Sequence, residues 1–340
     1  MAYAKEREVC VSMDERKWQN YKHYLMSTKR EAAVDYLPIK LDIENCSRCN
    51  FACTMCAVSK WTKGKRADDM TLEEFKALID EQYGLVEIKL NGLGEALMQG
   101  DDYFEMIKYA RSKRIWVRMT TNASLLHLRD NYKKLVDSGV NEIDISIDGS
   151  TPAIFEGIRI QSDFDQVTKN CKLLNEYLEP EVRTKMWTLV QRANSTDLVS
   201  ILHMADYMKF KNVVFSLGMH GWADPALKER NDGQIVHISD DYIGHLQETA
   251  KNLKLKLAFW DVNAKFDVDE MKNRCPWPFE RAVVTSDLRT VPCCMIADPD
   301  KFEIGKGKTF LQNWTGDEYK TFRQAHIDGK IPEVCRACYK

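Results

Sequence analysis

The 340-residue chain has no signal peptide, no membrane-length apolar run, no excess of basic charge and no tract rich in glycine or proline. Met1 to Glu8 is polar where a secretory signal needs an apolar centre, and no run approaches the length of a spanning helix. The expectation is a cytoplasmic protein with no membrane partner. A formal net charge of −2 and the lack of a basic stripe argue against a nucleic-acid partner, because neutralising phosphates takes clustered Lys and Arg. With 16 Gly and 9 Pro the chain is neither fibrous nor of low complexity, and it contains no internal repeat. A composition that is 44% hydrophobic and 29% charged is that of a globular protein, long enough to bury the core of one large domain or two modest ones.

Against these absences stand eleven cysteines. A cytosolic chain keeps its thiols reduced, so a disulfide framework is excluded and metal binding becomes the leading explanation. Cys46, Cys49, Cys53 and Cys56 fall within eleven residues, while Cys275, Cys293, Cys294, Cys335 and Cys338 gather near the C-terminus. Cys10 and Cys171 stand apart, and Cys171 lies in a helical pattern where free Cys packs as a small apolar residue.

From residue 38 to about 262, short β-branched runs alternate with longer stretches of helical period, the pattern of βαβ units and a parallel sheet. Strands are expected at Ile39 to Ile43, Val86 to Asn91, Trp116 to Thr120, Glu142 to Ile147, Lys185 to Val190 and Val213 to Leu217, with another at Lys256 to Phe259. Helices are expected at Thr71 to Glu81, Asp102 to Lys113, Leu128 to Ser138, Phe164 to Tyr177 and Thr196 to Lys209. Thr71 and Glu74 have the spacing of a capping box. The fold class is therefore α/β, a partial (β/α)6 TIM-like barrel of parallel strands, whose chemistry gathers at the strand C-termini. Residues 1–37 form an N-terminal extension with one amphipathic helix over Met13 to Ala33. Residues 263–340, broken up by Pro276, Pro278, Pro292, Pro299 and Pro332, form a small module with too little apolar mass to fold without metal.

Just after the first strand comes Asn45-Cys46-Ser47-Arg48-Cys49-Asn50-Phe51-Ala52-Cys53-Thr54-Met55-Cys56. Spacings of three and two residues let three thiolates from one loop face one iron-sulfur cubane, leaving one iron open to a small molecule. A zinc site on all four cysteines is the alternative; Cys46 is assigned to packing. The second strand ends in Asn91-Gly92-Leu93-Gly94-Glu95, the third in Thr120-Thr121-Asn122-Ala123 and the fourth in Ser146-Ile147-Asp148-Gly149.

These motifs, led by CNFACTMC with its CxxxCxxC spacing, resemble the radical S-adenosylmethionine superfamily over about residues 38 to 340. The resemblance implies S-adenosylmethionine as cofactor, and a 4Fe-4S cluster on Cys49, Cys53 and Cys56 whose electron cleaves it to a 5'-deoxyadenosyl radical that abstracts hydrogen. It also implies Gly94 and Glu95 at the methionyl amino group, and Asn122, Ser146 and Asp148 near ribose, carboxylate or substrate. Arg159 is expected on the methionyl carboxylate and Gln191 as a further ligand contact, with Met219 or His220 beside adenine and Trp222 and Trp260 in the substrate pocket. An external reductant such as flavodoxin or ferredoxin is implied as partner.

Cys275, Cys293, Cys335 and Cys338, with Val291-Pro292-Cys293-Cys294, Ile304-Gly305 and Asn313-Trp314, resemble the SPASM or twitch extension of these enzymes. Because the chain stops at Lys340, one auxiliary 4Fe-4S cluster is expected, so that two clusters are present in all. One of the adjacent pair is then spare: Cys293 is taken as the ligand and Cys294 as a catalytic thiol returning hydrogen to a substrate radical, giving epimerisation. Without such a thiol the outcome is oxidation. The expected substrate is a polar small molecule such as a sugar, cyclitol or sugar nucleotide. A peptide-modifying enzyme is the alternative, disfavoured by an extension too short for a leader-binding domain, and a non-catalytic metal-binding protein is the reading from another class.

Overall fold

The computed structural model describes residues 2–27, 30–61, 64–179, 182–219, 221–261 and 265–339. Side chains alternate along its strands, and a period of two sends them to opposite faces of a sheet. Leu41 and Ile43, Ile88 and Leu90, Val117 and Met119, and Ile143 and Ile145 make up the face buried in the main core. The other face carries Asp42, Lys89, Arg118, Asp144 and Lys185, which line a cavity.

The strands are β1 (Lys40–Ile43), β2 (Glu87–Leu90), β3 (Trp116–Thr121), β4 (Glu142–Ser146), β5 (Arg183–Leu189), β6 (Asn212–Ser216), β7 (Lys256–Trp260), β8 (Arg281–Val284) and β9 (Thr290–Val291). β1 to β7 lie side by side in chain order and parallel, and β8 pairs in parallel on the other side of β1, with β9 antiparallel to it. β7 and β9 are the two edges, so the barrel does not close. The six βα units expected from the pattern are present as β1 to β6, and β7 and β8 continue the parallel sheet beyond them.

Local chemistry sets the helix ends. Thr71 accepts a hydrogen bond from the Glu74 backbone while the Glu74 carboxylate accepts one from the Thr71 N–H, starting the helix Leu72–Glu81. A T71A substitution is expected to cost about 1 kcal/mol, read as a lower midpoint in denaturant unfolding. The expected helix over Leu128 to Ser138 is interrupted: Arg129 and Asp130 adopt positive φ of 49° and 57°, leaving a short turn and a helix at Asn131–Asp137.

The N-terminal extension differs from the single helix expected over Met13 to Ala33. Two helices, Ala2–Ser12 and Glu15–Met26, meet at Asp14, whose side chain caps the second by accepting from the Arg16 N–H. A capping residue stops one helix and starts the next, which periodicity alone does not register. The extension covers the N-terminal ends of the strands: the Tyr3 ring meets Trp116 edge-on at 5.3 Å, and buried Lys17 donates to the Leu85 carbonyl at 2.9 Å.

Residues after β7 are joined to the barrel and not set apart from it. β8 extends its sheet, Trp314 is fully buried and donates to the Tyr36 carbonyl at 2.8 Å, and the Arg323 guanidinium lies 4.2 Å from the Trp314 ring centroid. Among the described residues no helix is long and apolar enough to cross a membrane.

Candidate active site

The loop after β1 holds the first cysteine set. Its backbone is fixed from outside, Ala52 N–H donating to Ile160 O at 2.9 Å, Thr54 N–H to Ile158 O at 3.0 Å and Asn231 Nδ2 to Met55 O at 3.0 Å. Cys49, Cys53 and Cys56 are unpaired thiols that line one cavity of about 860 Å³ at the C-terminal ends of the strands. Burial raises all three thiol pKa values, Cys49 to about 12 and Cys56 to about 11, so the bare sulfurs hold their protons until a metal displaces them. Among the described residues no three His, Cys, Asp or Glu side chains converge as ligands of a single metal ion. Cys46 is fully buried, is not among the lining residues, and donates weakly to Arg48 O at 3.5 Å.

The end of β2 is laid on this loop. A Cβ at Gly94 would stand 2.5 Å from both the Cys46 and Arg48 carbonyl oxygens, a clash that only glycine avoids, and the Glu95 N–H donates to Arg48 O at 2.9 Å. The Glu95 carboxylate, 3% exposed, accepts from Thr121 Oγ1 at 2.7 Å, Asn122 N–H at 2.8 Å and Leu97 N–H at 3.3 Å. Burial raises its pKa and these donors oppose the rise. Asn122 Nδ2 in turn donates to Asn50 Oδ1 at 3.1 Å and lies 3.9 Å from Cys49 Sγ.

Arg159 connects a buried acid to the cysteine loop. Its Nη2 is 2.7 Å from Asp148 Oδ2 and its Nη1 3.8 Å from Cys53 Sγ, while its buried Nε has no protein hydrogen-bond partner among the described residues. Asp148 is fully buried and also accepts from the Leu189 N–H at 2.7 Å; burial raises its pKa against the pull of Arg159.

The cavity brings together Cys49, Cys53, Cys56, Gly94, Glu95, Asn122, Ser146, Arg159 and Cys294, and Trp222 and Trp260 also line it. Asp148 and Gln191 do not line it. Asp148 lies past the end of β4, where the turn sets its carboxylate on Arg159 and out of the lining, and Gln191 is 2% exposed. Met219 is buried away from the lining as well, and His220 and the boundary at residues 262 and 263 involve residues outside those described.

The adjacent cysteines of the C-terminal segment face different spaces. Cys293 lines a second, smaller cavity with Cys275, Cys335 and Cys338, whereas Cys294 lines the large cavity with the loop cysteines. The neighbouring thiol and burial together raise the pKa of Cys293. Burial raises the pKa of Cys275 and Cys335 to about 12 and that of Cys338 as well.

Sequence reasoning passed over a belt of charge across the cavity floor. Arg118 lies 3.5 Å from Glu87, 3.4 Å from Glu142 and 3.5 Å from Asp144. Lys185 lies 2.7 Å from Glu142 and 3.3 Å from Asp144, and Arg281 2.8 Å from Glu87 and 3.7 Å from Asp42. The signal is in the sequence as charge at every second strand position: Lys40 and Asp42, Glu87 and Lys89, Glu142 and Asp144, Arg183 and Lys185.

An unclosed parallel barrel with three free thiols at its mouth and five more in a C-terminal segment, four of them around one smaller cavity, defines an iron-sulfur enzyme of the α/β class. The family model described as the radical SAM superfamily matches residues 46–205, and that of the SPASM iron-sulfur cluster-binding domain matches residues 275–339. The chain belongs to the radical SAM superfamily and carries a C-terminal SPASM domain.

Among its relatives, GTP 3',8-cyclase of Nautilia profundicola is 28% identical over 189 residues, 53% of this chain and 55% of that protein. PqqA peptide cyclase of Bradyrhizobium diazoefficiens is 23% identical over 329 residues, 92% of this chain and 82% of that protein. The chain spans about half the length of the GTP cyclases it matches. In fold it resembles Streptococcus suis SuiB bound to its precursor peptide SuiA, with a TM-score of 0.67 at 14% identity, covering 89% of this chain and 70% of that one.

The cofactors are S-adenosylmethionine and 4Fe-4S clusters. The residues present fit them: the thiols are free and share one cavity wall, and the orphaned Nε of Arg159 is buried beside them.

Proposed function

We propose that this enzyme inverts a carbon centre of a polar small molecule, with Cys294 as the hydrogen donor. The observation that carries the reading is that Cys294 lines the large cavity with Cys49, Cys53 and Cys56 while its neighbour Cys293 lines the smaller one. In this reading Cys49, Cys53 and Cys56 hold the first cluster, and Cys275, Cys293, Cys335 and Cys338 a single auxiliary one, closed by four ligands. Bound and reduced, the first cluster supplies the electron that cleaves S-adenosylmethionine and so provides the abstraction of one substrate hydrogen atom.

The chain's own residues do the rest. Gly94 and Glu95 present backbone and carboxylate to the methionyl amino group, Arg159 directs its free Nε to the carboxylate, and Asn122 and Ser146 border the ribose. Asp148 keeps the guanidinium in place. The Cys294 S–H bond breaks as its hydrogen forms a new C–H bond on the substrate radical, leaving a sulfur radical. One electron from the external reductant and one proton restore the thiol.

A panel of sugars, cyclitols, sugar nucleotides and peptides incubated in deuterated water tests this. Turnover is expected to place one solvent deuterium in a small-molecule product. C294A is expected to keep its full iron content and still form 5'-deoxyadenosine without that deuterated product, whereas C293A loses about four irons. Iron loss from C294A, or deuterium uptake that survives it, contradicts the assignment. A peptide-modifying enzyme is the second reading, favoured by the similarity to PqqA peptide cyclase along 92% of this chain, and a modified peptide in the same panel would establish it.

A further inference from the structure

Some of the cations facing the large cavity have no carboxylate paired to them. Arg118, Lys185 and Arg281 are matched by Asp42, Glu87, Glu142 and Asp144, and Arg159 by Asp148. Lys89, Lys256 and Lys265 also line the cavity; Lys89 acts on Asp42 and Lys265 on Cys338, but among the described residues none of the three is ion-paired to a carboxylate. Two of them stand on one side. Lys256 and Trp260 share the cavity face of β7, an edge strand, about 13 Å apart at four residues of strand rise. The Lys265 ammonium sits 4.0 Å from the Trp260 ring centroid. Trp260 is 41% exposed, and its ring lies 6.3 Å from that of Trp187, which also lines the cavity.

Lysines without carboxylate partners favour an anionic ligand over a neutral sugar, and one carboxylate reaches only one end of this wall. A diphosphate supplies more than one negative charge and several acceptor oxygens, lysine binds phosphate as a point charge, and a ring attached to it has an aromatic face to lie on. We infer that the substrate is a diphosphate-bearing small molecule with the extent of a nucleoside diphosphate, its phosphates on Lys256 and Lys265 and its ring moiety against Trp260. The inference deepens the small-molecule reading above and rests on it. Lys89, on β2, supplies positive charge on the opposite wall.

Calorimetric titration of the reconstituted enzyme with uridine diphosphate, inorganic pyrophosphate, glucose 6-phosphate and a glutamate-rich peptide tests it. Uridine diphosphate is expected to bind more tightly than pyrophosphate, since stacking a base on an aromatic side chain adds about tenfold or more. K256A and K265A are each expected to weaken it by about tenfold, the loss of one charge-assisted contact, while K256R and K265R retain it. Tight binding of pyrophosphate alone or of glucose 6-phosphate would keep the phosphate and remove the nucleotide, overturning the assignment of the ring to Trp260. Phosphate probes that bind no better than about 1 mM, binding indifferent to the lysine substitutions, or preference for the peptide overturns the proposal itself. The deuterium panel above decides the small-molecule reading by itself: a deuterated sugar or cyclitol product with no binding of the phosphate probes overturns this proposal alone, and a modified peptide overturns the reading it rests on.

Discussion

Replacing Cys49, Cys53 and Cys56 together by alanine is expected to remove about four irons per reconstituted chain and to abolish 5'-deoxyadenosine formation, while about four irons remain. The three thiols occupy one wall of the large cavity, and the cysteines of the smaller cavity are on another part of the chain. The loop itself survives the change. Its hydrogen bonds at Ala52, Thr54 and Met55 do not use sulfur, and the change removes only the longer contacts of Phe51, Asn122 and Arg159 to the Cys49 and Cys53 thiols. Iron and sulfide analysis beside product quantification decides the matter. Zinc bound in place of iron, or deoxyadenosine still formed by the triple variant, would show that the loop serves another metal or none.

The second large effect concerns folding stability. D148A leaves the Arg159 guanidinium buried with its main counter-ion gone, because Asp148 is fully buried and the Arg159 side chain is 10% exposed. Removing one partner of a buried ion pair costs about 3–5 kcal/mol, most of it the uncompensated charge. Replacing both, as D148N with R159M, is expected to cost less than D148A alone, since no bare charge remains. Denaturant unfolding of the three variants measures this. A loss below about 1 kcal/mol in D148A would mean that water reaches Arg159 and that Asp148 is not its support.

Reading the sequence located most elements because period-two and period-3.6 patterns are local. It misjudged the extension, where Asp14 as a cap ends one helix and begins another. It also misjudged the segment after His127, where Arg129 and Asp130 take left-handed backbone that no apolar periodicity reports. Among site residues, cysteine spacing and the polar ends of β2, β3 and β4 were legible, and the sidedness of Asp148 was not. Asp148 follows Ile147 directly, past the end of β4, so the turn and not strand alternation decides which side it faces. Gly94 was legible as a turn glycine, but its actual constraint is a backbone from another loop 2.5 Å from where its Cβ would be.

The sequence by itself determined the family, the alternation of strands and helices, and which cysteines form sets, because each depends on residues near one another in the chain. It takes the tertiary structure to show that Cys293 and Cys294 face different cavities, that Asp148 stands behind Arg159, and that among the described residues Lys256 and Lys265 have no carboxylate paired to them. Each of these depends on which segments the sheet order brings together. Side-chain direction and charge balance are properties of contacts between strands far apart in sequence, and no local pattern contains them.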